Sequence, residues 1–412
     1  GFQASWVATN ESWMAGLGFL NYLRLSAGVD VSGNDDLPYY ATRSYFASSD
    51  YMGLASGLTI AGIGNEKIQW ERTRRINIGV DANLLNNRLG VRFNYFRSAT
   101  DHLLMWQEMS YLSGLDKTWG NGGKLENRGF DVEATGVVWA SPSWQWQVGA
   151  SVGHYKNKVT ALPDGQRYMD TEILGATVRT EIGRPANLFY GYKAQGVFST
   201  SAEAQAAGLY IHDDNGVDRT AFEAGDMHFA DLDGDHFITE ADRMVIGDPN
   251  PDIYGNIFTS VQYRRLRLDV RFNYSLGNDI YNYTRQQLES GSRFMNQTTA
   301  LARRWQMEGQ QTDIPRLSFQ DPMGNSRFSD RWIEDGSYLR LKTVTLSYDL
   351  PVSSTFLQGL QFWVQANNVV TLTRYLGSDP EGTALSAVLG QGIDAGSLPQ
   401  SRNFMVGIKI NL

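Results

Sequence analysis

The sequence predicts an all-β protein: a membrane-crossing antiparallel barrel of which these 412 residues supply one piece. Three observations predict it. Apolar and polar residues alternate with a period of two over unusually long stretches. Short and long connections alternate between those stretches. The stretches are also odd in number. Composition agrees, with 12% aromatic residues, 42 glycines and only 19% charged residues. No run of about 20 apolar residues occurs, so no membrane-spanning helix is predicted. A net charge of −8 and a pI near 5.3 argue against a nucleic-acid partner, which needs a basic face. The absence of cysteine excludes a disulfide framework, a thiol nucleophile and a Cys-based zinc site. The first residues, GFQASWVATNESWM, lack the basic and apolar regions of a signal peptide and read as the middle of a longer chain.

In chain order, a first strand is expected near 2–9. Leu23, Leu25, Ala27, Val29 and Val31 then share one face, against Tyr22, Arg24, Ser26, Gly28 and Asp30. Ile76, Ile78, Val80, Ala82 and Leu84 oppose Asn77, Gly79, Asp81 and Asn83. Leu89-Val91-Phe93-Tyr95, Phe130-Val132-Ala134 and Trp144-Trp146-Val148-Ala150-Val152 follow. Leu266 to Leu276 places six apolar side chains opposite Arg267, Asp269, Arg271, Asn273 and Ser275, and the chain closes with Phe404, Val406, Ile408, Ile410 and Leu412. Such alternation means strands with one apolar and one polar face. Their length matches the ~9–11 residues that a tilted strand needs to cross a bilayer.

Short connections fall at Asn86-Asn87, Ala140–Ser143, Tyr263–Arg265 and Pro351–Gly359; long ones run over 33–72, 102–124, 159–254, 278–336 and 371–402. Short turns on one side and long loops on the other mark an outer-membrane barrel. With the short turns periplasmic, the directions alternate through 2–9, 21–33, 73–85, 88–101, 125–139, 143–158, 255–263, 266–277, 337–350, 359–370 and the last strand. This parity leaves 188–198 to loop structure. An odd antiparallel set cannot close on itself, so the remaining strands lie outside this chain.

Several segments carry a family resemblance: IQWERTRRINIGVDANLLNNRL (68–89), LENRGFDVEA (125–134), FYGYKAQGVF (189–198), DLDGDHFITEADRMVIGDPNPDIYGN (231–256), SDRWIEDGSYLRLKTVTLSYDLP (329–351), VQANNVVTLTRYLGSDPE (364–381) and QGIDAGSLPQSRNFMVGIKINL (391–412). In content and order the chain resembles the C-terminal half of SusC/RagA-family TonB-dependent outer-membrane transporters. The resemblance implies strands 12 to 22 of a 22-stranded barrel in the outer membrane of a Bacteroidetes-type Gram-negative cell. It implies, as partners, the N-terminal strands and plug of the same transporter, both absent from this chain, and a SusD-like surface lipoprotein. The TonB complex would act through that plug. The implied substrates are large nutrients, glycan oligosaccharides or peptides. Many such barrels end in an aromatic residue, whereas this chain ends in Leu412.

The sharpest local motif is the acidic run 231–242. Read as a twelve-position calcium loop, it places Asp231, Asp233, Asp235 and Asp242 at positions 1, 3, 5 and 12. The Phe237 carbonyl falls at position 7 and Ile238 at the apolar position 8. Hard oxygens at alternate positions suit calcium, with magnesium as the alternative, in a structural role that stiffens a long extracellular loop. His236 stands where this loop type carries glycine, and a solvated acidic turn is the simpler reading of the same residues. Gly149-Ala150-Ser151-Val152-Gly153 matches a nucleophile elbow but lies mid-strand, where no sharp turn is available. The five histidines form no metal-binding pair. No enzyme activity is therefore expected.

Trp139, Trp144 and Trp146 flank a short turn and read as an interface girdle, and Trp13 and Trp363 as girdle or loop packing. The loop aromatics Trp106, Tyr111 and Trp119 are candidates for stacking on substrate. A short helix is expected within 278–306 from the spacing of Leu288, Phe294, Leu301 and Trp305. Charged residues on the polar face, Arg24, Asp30, Asp81, Arg92, Asp131, Glu133, Arg267, Asp269 and Arg271, are expected to pair and brace the wall. The rival to a transporter half-barrel is a secreted calcium-binding β-rich adhesin.

Overall fold

The computed structural model describes residues 1–52, 55–110, 112, 114–115, 117–212, 218–351, 358–383 and 388–411. Eleven antiparallel strands form one sheet in chain order. They are β1 (Phe2–Val7), β2 (Leu20–Asn34), β3 (Glu71–Leu84), β4 (Leu89–Asp101), β5 (Lys124–Ala140) and β6 (Trp144–Ala161). Then follow β7 (Ile253–Tyr263), β8 (Leu266–Leu276), β9 (Tyr338–Leu350), β10 (Gly359–Thr373) and β11 (Asn403–Asn411). Each corresponds to one of the expected strands, with ends shifted by a few residues. The chain divides into two compact units: Gly1–Met169 with Thr180–Ala186 and Gly255–Arg267, and Asp170–Arg179 with Asn187–Tyr254 and Leu268–Leu412.

In the first unit the register turns the sequence alternation into rows. Leu25 pairs with Val80, Val80 with Phe93, Phe93 with Val132 and Val132 with Val152, an apolar row across five strands. One position along, Arg24 pairs with Asp81, Asp81 with Arg92 and Arg92 with Glu133 on the opposite face. A slip of one residue would exchange these faces, and Arg or Lys turned to lipid costs ~2–4 kcal/mol at midplane. The β3–β4 turn places Leu85, Asn86 and Asn87 at φ of 56°, 59° and 61°, a left-handed run that asparagine tolerates. At the turn ends Trp139, Trp144 and Trp146 are exposed; the Trp144 ring lies 4.5 Å from Tyr263, and Trp146 Nε1 donates to Thr259 Oγ1 at 2.9 Å. These are the positions expected to form a girdle.

In the second unit β9 and β10 carry a paired irregularity between Leu341 and Thr343, opposite Asn367–Val370, where Asn368 has φ 52°. It changes the parity of β9, while β10 keeps Val364, Val370 and Leu372 on one face. Below it Leu346 and Tyr348 point to the exposed apolar face; above it Arg340 pairs with Thr371 on the polar one. Without the bulge Arg340 would share a face with Leu346. On β11 the apolar face is bare, with Phe404 and Val406 exposed by 76% and 79%. That exposure is the mark of a surface solvated by something other than water. Trp363 lies on the other face, over Gly407, so it is not a girdle residue: a Cβ on Gly407 would stand 2.3 Å from its ring.

The long loops of this unit hold two cores of their own. One contains Phe198, Leu209, Phe222, Met227, Phe229, Ile238 and Met323; the other Val178, Phe189, Tyr281, Phe328, Trp332 and Ile393. The 188–198 segment belongs to these loops, as the parity required. It forms the short strands Leu188–Tyr192 and Ala194–Val197, each outside the eleven-stranded sheet. Helix α1 (Ser201–Ala207) is capped by Thr200 and ends at Gly208 with φ 60°. The helix expected late in 278–306 stands earlier, as α2 (Tyr283–Glu289), because the Asn282 side chain accepts the Arg285 N–H and caps its start. Phe294, expected on that helix, is instead 94% exposed.

Candidate metal-binding and substrate-facing sites

The acidic loop runs from the strand Met227–Phe229 to a 3₁₀ turn at Glu240–Asp242. Its shape follows from side chains accepting their own backbone. Asp231 takes the N–H groups of Gly234 at 2.7 Å and His236 at 3.0 Å; Asp233 takes that of Asp235 at 3.2 Å; Asp235 takes that of Phe237 at 2.7 Å. His236 adopts φ 69°, the left-handed conformation in which histidine is among the tolerated residues. The carboxylates of Asp231, Asp233 and Asp235 offer ligand oxygens within 4.8 Å of one another. Two oxygens 2.6 Å from one calcium ion can stand ~5.2 Å apart, so the spacing is compatible with a shared ion. Electrostatics distinguish the three groups. Burial works against ionisation of Asp231, but the Gly234 and His236 N–H groups hold its carboxyl below the usual range. The Asp235 N–H favours ionised Asp233, but desolvation and the charges of Asp235, Asp242 and Asp231 prevail and push it up.

Asp242 is placed differently. It is fully buried, and its two carboxylate oxygens accept the Leu232 and Thr239 N–H groups, each at 2.7 Å. With Thr239 it forms a capping box that closes the loop, and it lies outside the three-carboxylate group. Phe237 packs its ring 4.2 Å from His212, parallel to it, while Tyr210 bridges to the loop through its own N–H on His236 O and its O on the Ile238 N–H.

The expected substrate aromatics lie in the first unit. Trp106 and Trp119 are cross-strand partners in the hairpin Leu104–Glu108 with Lys117–Asn121. Their rings stand 4.3 Å apart, and Lys117 Nζ lies 5.0 Å from the Trp106 ring. One face of each indole is therefore taken by the other. Tyr111 lies outside the described residues. Asn121 ties the hairpin down, its side chain donating to Gln69 O and His102 O and accepting the Gln69 N–H.

The polar wall forms as expected on β2 to β5. Arg24 reaches Asp81 at 2.6 Å, Arg92 reaches Asp81 at 3.0 Å, and Arg92 also reaches Glu133 at 3.2 Å. Asp30 accepts from Asn77 at 3.4 Å. A cleft of about 480 Å³ opens beside the ladder, with Arg88 and Gln147 in its lining. These exposed pairs contribute ~0–1 kcal/mol each, so they set wall polarity more than stability. Ser151 sits mid-strand and its Oγ accepts the Asn256 N–H, with no elbow geometry.

One cluster escaped sequence reasoning. Arg340, 2% exposed, spends its whole guanidinium: Nε on Thr371 Oγ1 at 3.0 Å, Nη1 on Glu381 at 2.6 Å and Nη2 on Asp379. Asp379 also accepts the Glu381 and Gln400 N–H groups, and Lys342 donates to Gln400 Oε1 at 2.8 Å. Burial opposes its charge, yet those N–H groups and Arg340 hold its carboxyl below the usual range. The parity change at the β9 bulge was the available signal.

No family profile matches the chain. It is 29% identical over 423 residues to TonB-dependent receptor P3 of Formosa agariphila, across 98% of this chain and 41% of that protein. It is 24% identical over 435 residues to TonB-dependent receptor SusC of Bacteroides thetaiotaomicron, across 98% of this chain and 39% of that protein. In fold it is similar to a structure of the RagAB peptide importer in its closed-closed state, with a TM-score of 0.78, 24% identity and cover of 99% of this chain and 43% of the other. The chain thus spans about two fifths of the relatives it matches. Alternating long strands, the eleven-stranded sheet, its bare apolar face and this likeness along nearly the whole chain lead to one conclusion: the chain is part of an outer-membrane β-barrel and is similar over nearly its whole length to TonB-dependent receptors of the SusC/RagA type.

Proposed function

We propose that the chain forms the C-terminal half of the barrel wall in a TonB-dependent importer of large nutrients, oligosaccharides or peptides. It works with a SusD-like surface lipoprotein, draws energy from the TonB complex through the plug, and performs no catalysis. The observation that carries the reading is the joint match in sequence and strand order to relatives named as TonB-dependent receptors and as a peptide importer. The two free sheet edges, β1 and β11, support it, because in a bilayer every unpaired backbone group costs several kcal/mol. They pair with strands from the rest of the protein. Uptake by cells carrying the full-length protein tests this. A labelled oligosaccharide or peptide should be retained only with an active TonB system, and equal retention without it refutes the reading.

Two finer assignments belong to it. The loop 231–242 binds calcium, or magnesium in a tighter loop, through Asp231, Asp233, Asp235 and the Phe237 carbonyl, with Asp242 closing the turn. The ion stiffens an extracellular loop and takes no part in chemistry. Calorimetric titration of the full-length protein should show one site that is lost in Asp233→Ala. Trp106, Tyr111 and Trp119 contact substrate. Trp106→Ala should weaken uptake while the barrel stays assembled, and unchanged uptake removes these residues from the path.

A further inference from the structure

The membrane-facing side of the first unit carries a second pattern above its apolar rows. On that face the register runs Val29, Ile76, Arg97, Arg128 and Lys156 across β2 to β6. The next row toward the long loops runs Val31, Arg74, Ala99, Glu126 and Lys158, and beyond it Arg72 pairs with Asp101, with Lys124 3.9 Å from that carboxylate. Cations at seven positions (72, 74, 97, 124, 128, 156 and 158) thus face two anions, Asp101 and Glu126. Glu126 is paired with Arg97 at 2.9 Å, and Asp101 is shared by Arg72, Arg74 and Lys124 at 3.7 to 3.9 Å. Arg128, Lys156 and Lys158 are exposed and make no ion pair with a described residue.

Directly below lie Tyr95, Phe130 and His154 in one row, with Phe93 stacked 6.4 Å from Phe130. From turn end to loop end the surface therefore reads apolar, aromatic, cationic. That order matches acyl chains, interface and headgroups. On β5 the stretch below the cations, from Trp139 at the turn end to Phe130, extends ~31 Å at ~3.4 Å per residue, which a strand tilt of ~35–45° shortens to about the ~25 Å apolar band of such barrels. The cations therefore stand at headgroup height on the outward leaflet. At the loop ends of β9 and β10 the same face carries Leu339, Leu341, Val370 and Leu372, so the belt is local.

We infer that this belt is a docking surface for the phosphate groups of outer-leaflet glycolipids. Guanidinium and ammonium groups at this height meet phosphate with charge-assisted hydrogen bonds, Arg through its planar fork and Lys as a point charge. Continuity with the apolar rows selects a lipid over a free anion, because the acyl chains of one molecule lie on Leu25, Val80 and Phe93 while its phosphates reach Arg97, Arg128 and Lys156.

The test uses the full-length transporter in detergent. A diphosphorylated acyl glycolipid and its phosphate-free analogue are titrated and read by native mass spectrometry. At about fivefold per basic residue, Arg128→Gln/Lys156→Gln/Lys158→Gln should bind the phosphorylated lipid about a hundredfold more weakly. The wild type should bind the phosphate-free analogue equally weakly. The charge-keeping set Arg128→Lys/Lys156→Arg/Lys158→Arg should stay within about threefold of wild type, and binding should fall as salt rises. Equal affinity of wild type for the two lipids overturns the inference, and that arm needs no variant to fold. So does an unchanged affinity in the triple Gln variant. Displacement of the lipid by an equal concentration of inorganic phosphate marks a free-anion site and likewise overturns it.

Discussion

Among the described residues, replacing Arg340 by methionine removes the only cation in contact with Asp379 and leaves Glu381 with Lys342 at 3.6 Å. Deleting one partner of a buried ion pair costs ~3–5 kcal/mol, because the other charge stays buried without compensation. Here the cost lies near the lower end. Asp379, 6% exposed, keeps two backbone N–H donors at 2.9 and 3.0 Å, and Glu381 is partly solvated. About 3 kcal/mol corresponds to a rise of ~150-fold in the population in which Asp379, Glu381 and Gln400 are released from one another. Gly392 and Asp394 stay anchored, by Tyr281 N–H on Gly392 O and by Tyr375 Oη on Asp394 at 2.5 Å, so opening is local. Hydrogen exchange of the Glu381 and Gln400 amides reads it directly. In Arg340→Met both should exchange about two orders of magnitude faster, while Tyr281 keeps its protection. Arg340→Lys should fall between, because an ammonium cannot serve Thr371, Glu381 and Asp379 with the geometry of a fork. Unchanged exchange at Gln400 in Arg340→Met would refute the reasoning.

The same network sets a pH dependence. The folded carboxyl of Asp379 is depressed, so its contribution is fully present above the unfolded value of ~3.9 and is lost only as pH falls through the lower folded value; Gln400 protection should match at pH 7 and pH 5, and loosening by pH 5 contradicts the assignment. In the acidic loop, Asp233→Ala should abolish calcium binding with little change to the metal-free fold, whereas Asp231→Ala also removes the acceptor of two N–H groups and should loosen the loop without calcium, both read by proteolysis with and without chelator. Gly129→Ala should hinder assembly by ~1–3 kcal/mol, since its Cβ would stand 2.3 Å from the His154 carbonyl. Gly136→Ala, with no neighbour nearer than 3.9 Å, should be tolerated, as urea-unfolding of the two assembled variants will report. Residues 1–412 expressed alone should aggregate and give no heat-modifiable band on a gel, because neither sheet edge has a partner strand among the described residues.

Barrel strands were legible because a bilayer imposes a length and a two-residue period together, and Leu266 to Leu276 or Ile76 to Leu84 satisfy both without exception. Connection parity then assigned 188–198 to the loops despite its strand-like composition. Period two fails where a strand changes face. At the β9–β10 bulge the apolar phase moves from Leu339 and Leu341 to Val344, Leu346 and Tyr348, and a single period carried through Lys342 assigns Arg340 to the wrong face. Loops were less legible, since capping decided them over spacing: Asn282 starts α2 a turn or more before the apolar pattern suggested. In the acidic run, three aspartates converge as the spacing implies, but Asp242 caps the turn, a use that a ligand pattern cannot distinguish from coordination.

The central claim is that this sheet crosses the outer membrane with its short turns inside and its long loops outside. These 412 residues contain no cysteine, so once any cysteine in the rest of the protein is replaced by serine, a single introduced cysteine reports topology cleanly. In the full-length protein, Asn86→Cys lies in the β3–β4 turn and Gly309→Cys in the 278–336 loop, where nothing stands within 4 Å of an added Cβ. A membrane-impermeant maleimide applied to intact cells should label Gly309→Cys at once and Asn86→Cys only after the outer membrane is permeabilised. Labelling of both positions on intact cells, or of Asn86→Cys alone, would contradict the account.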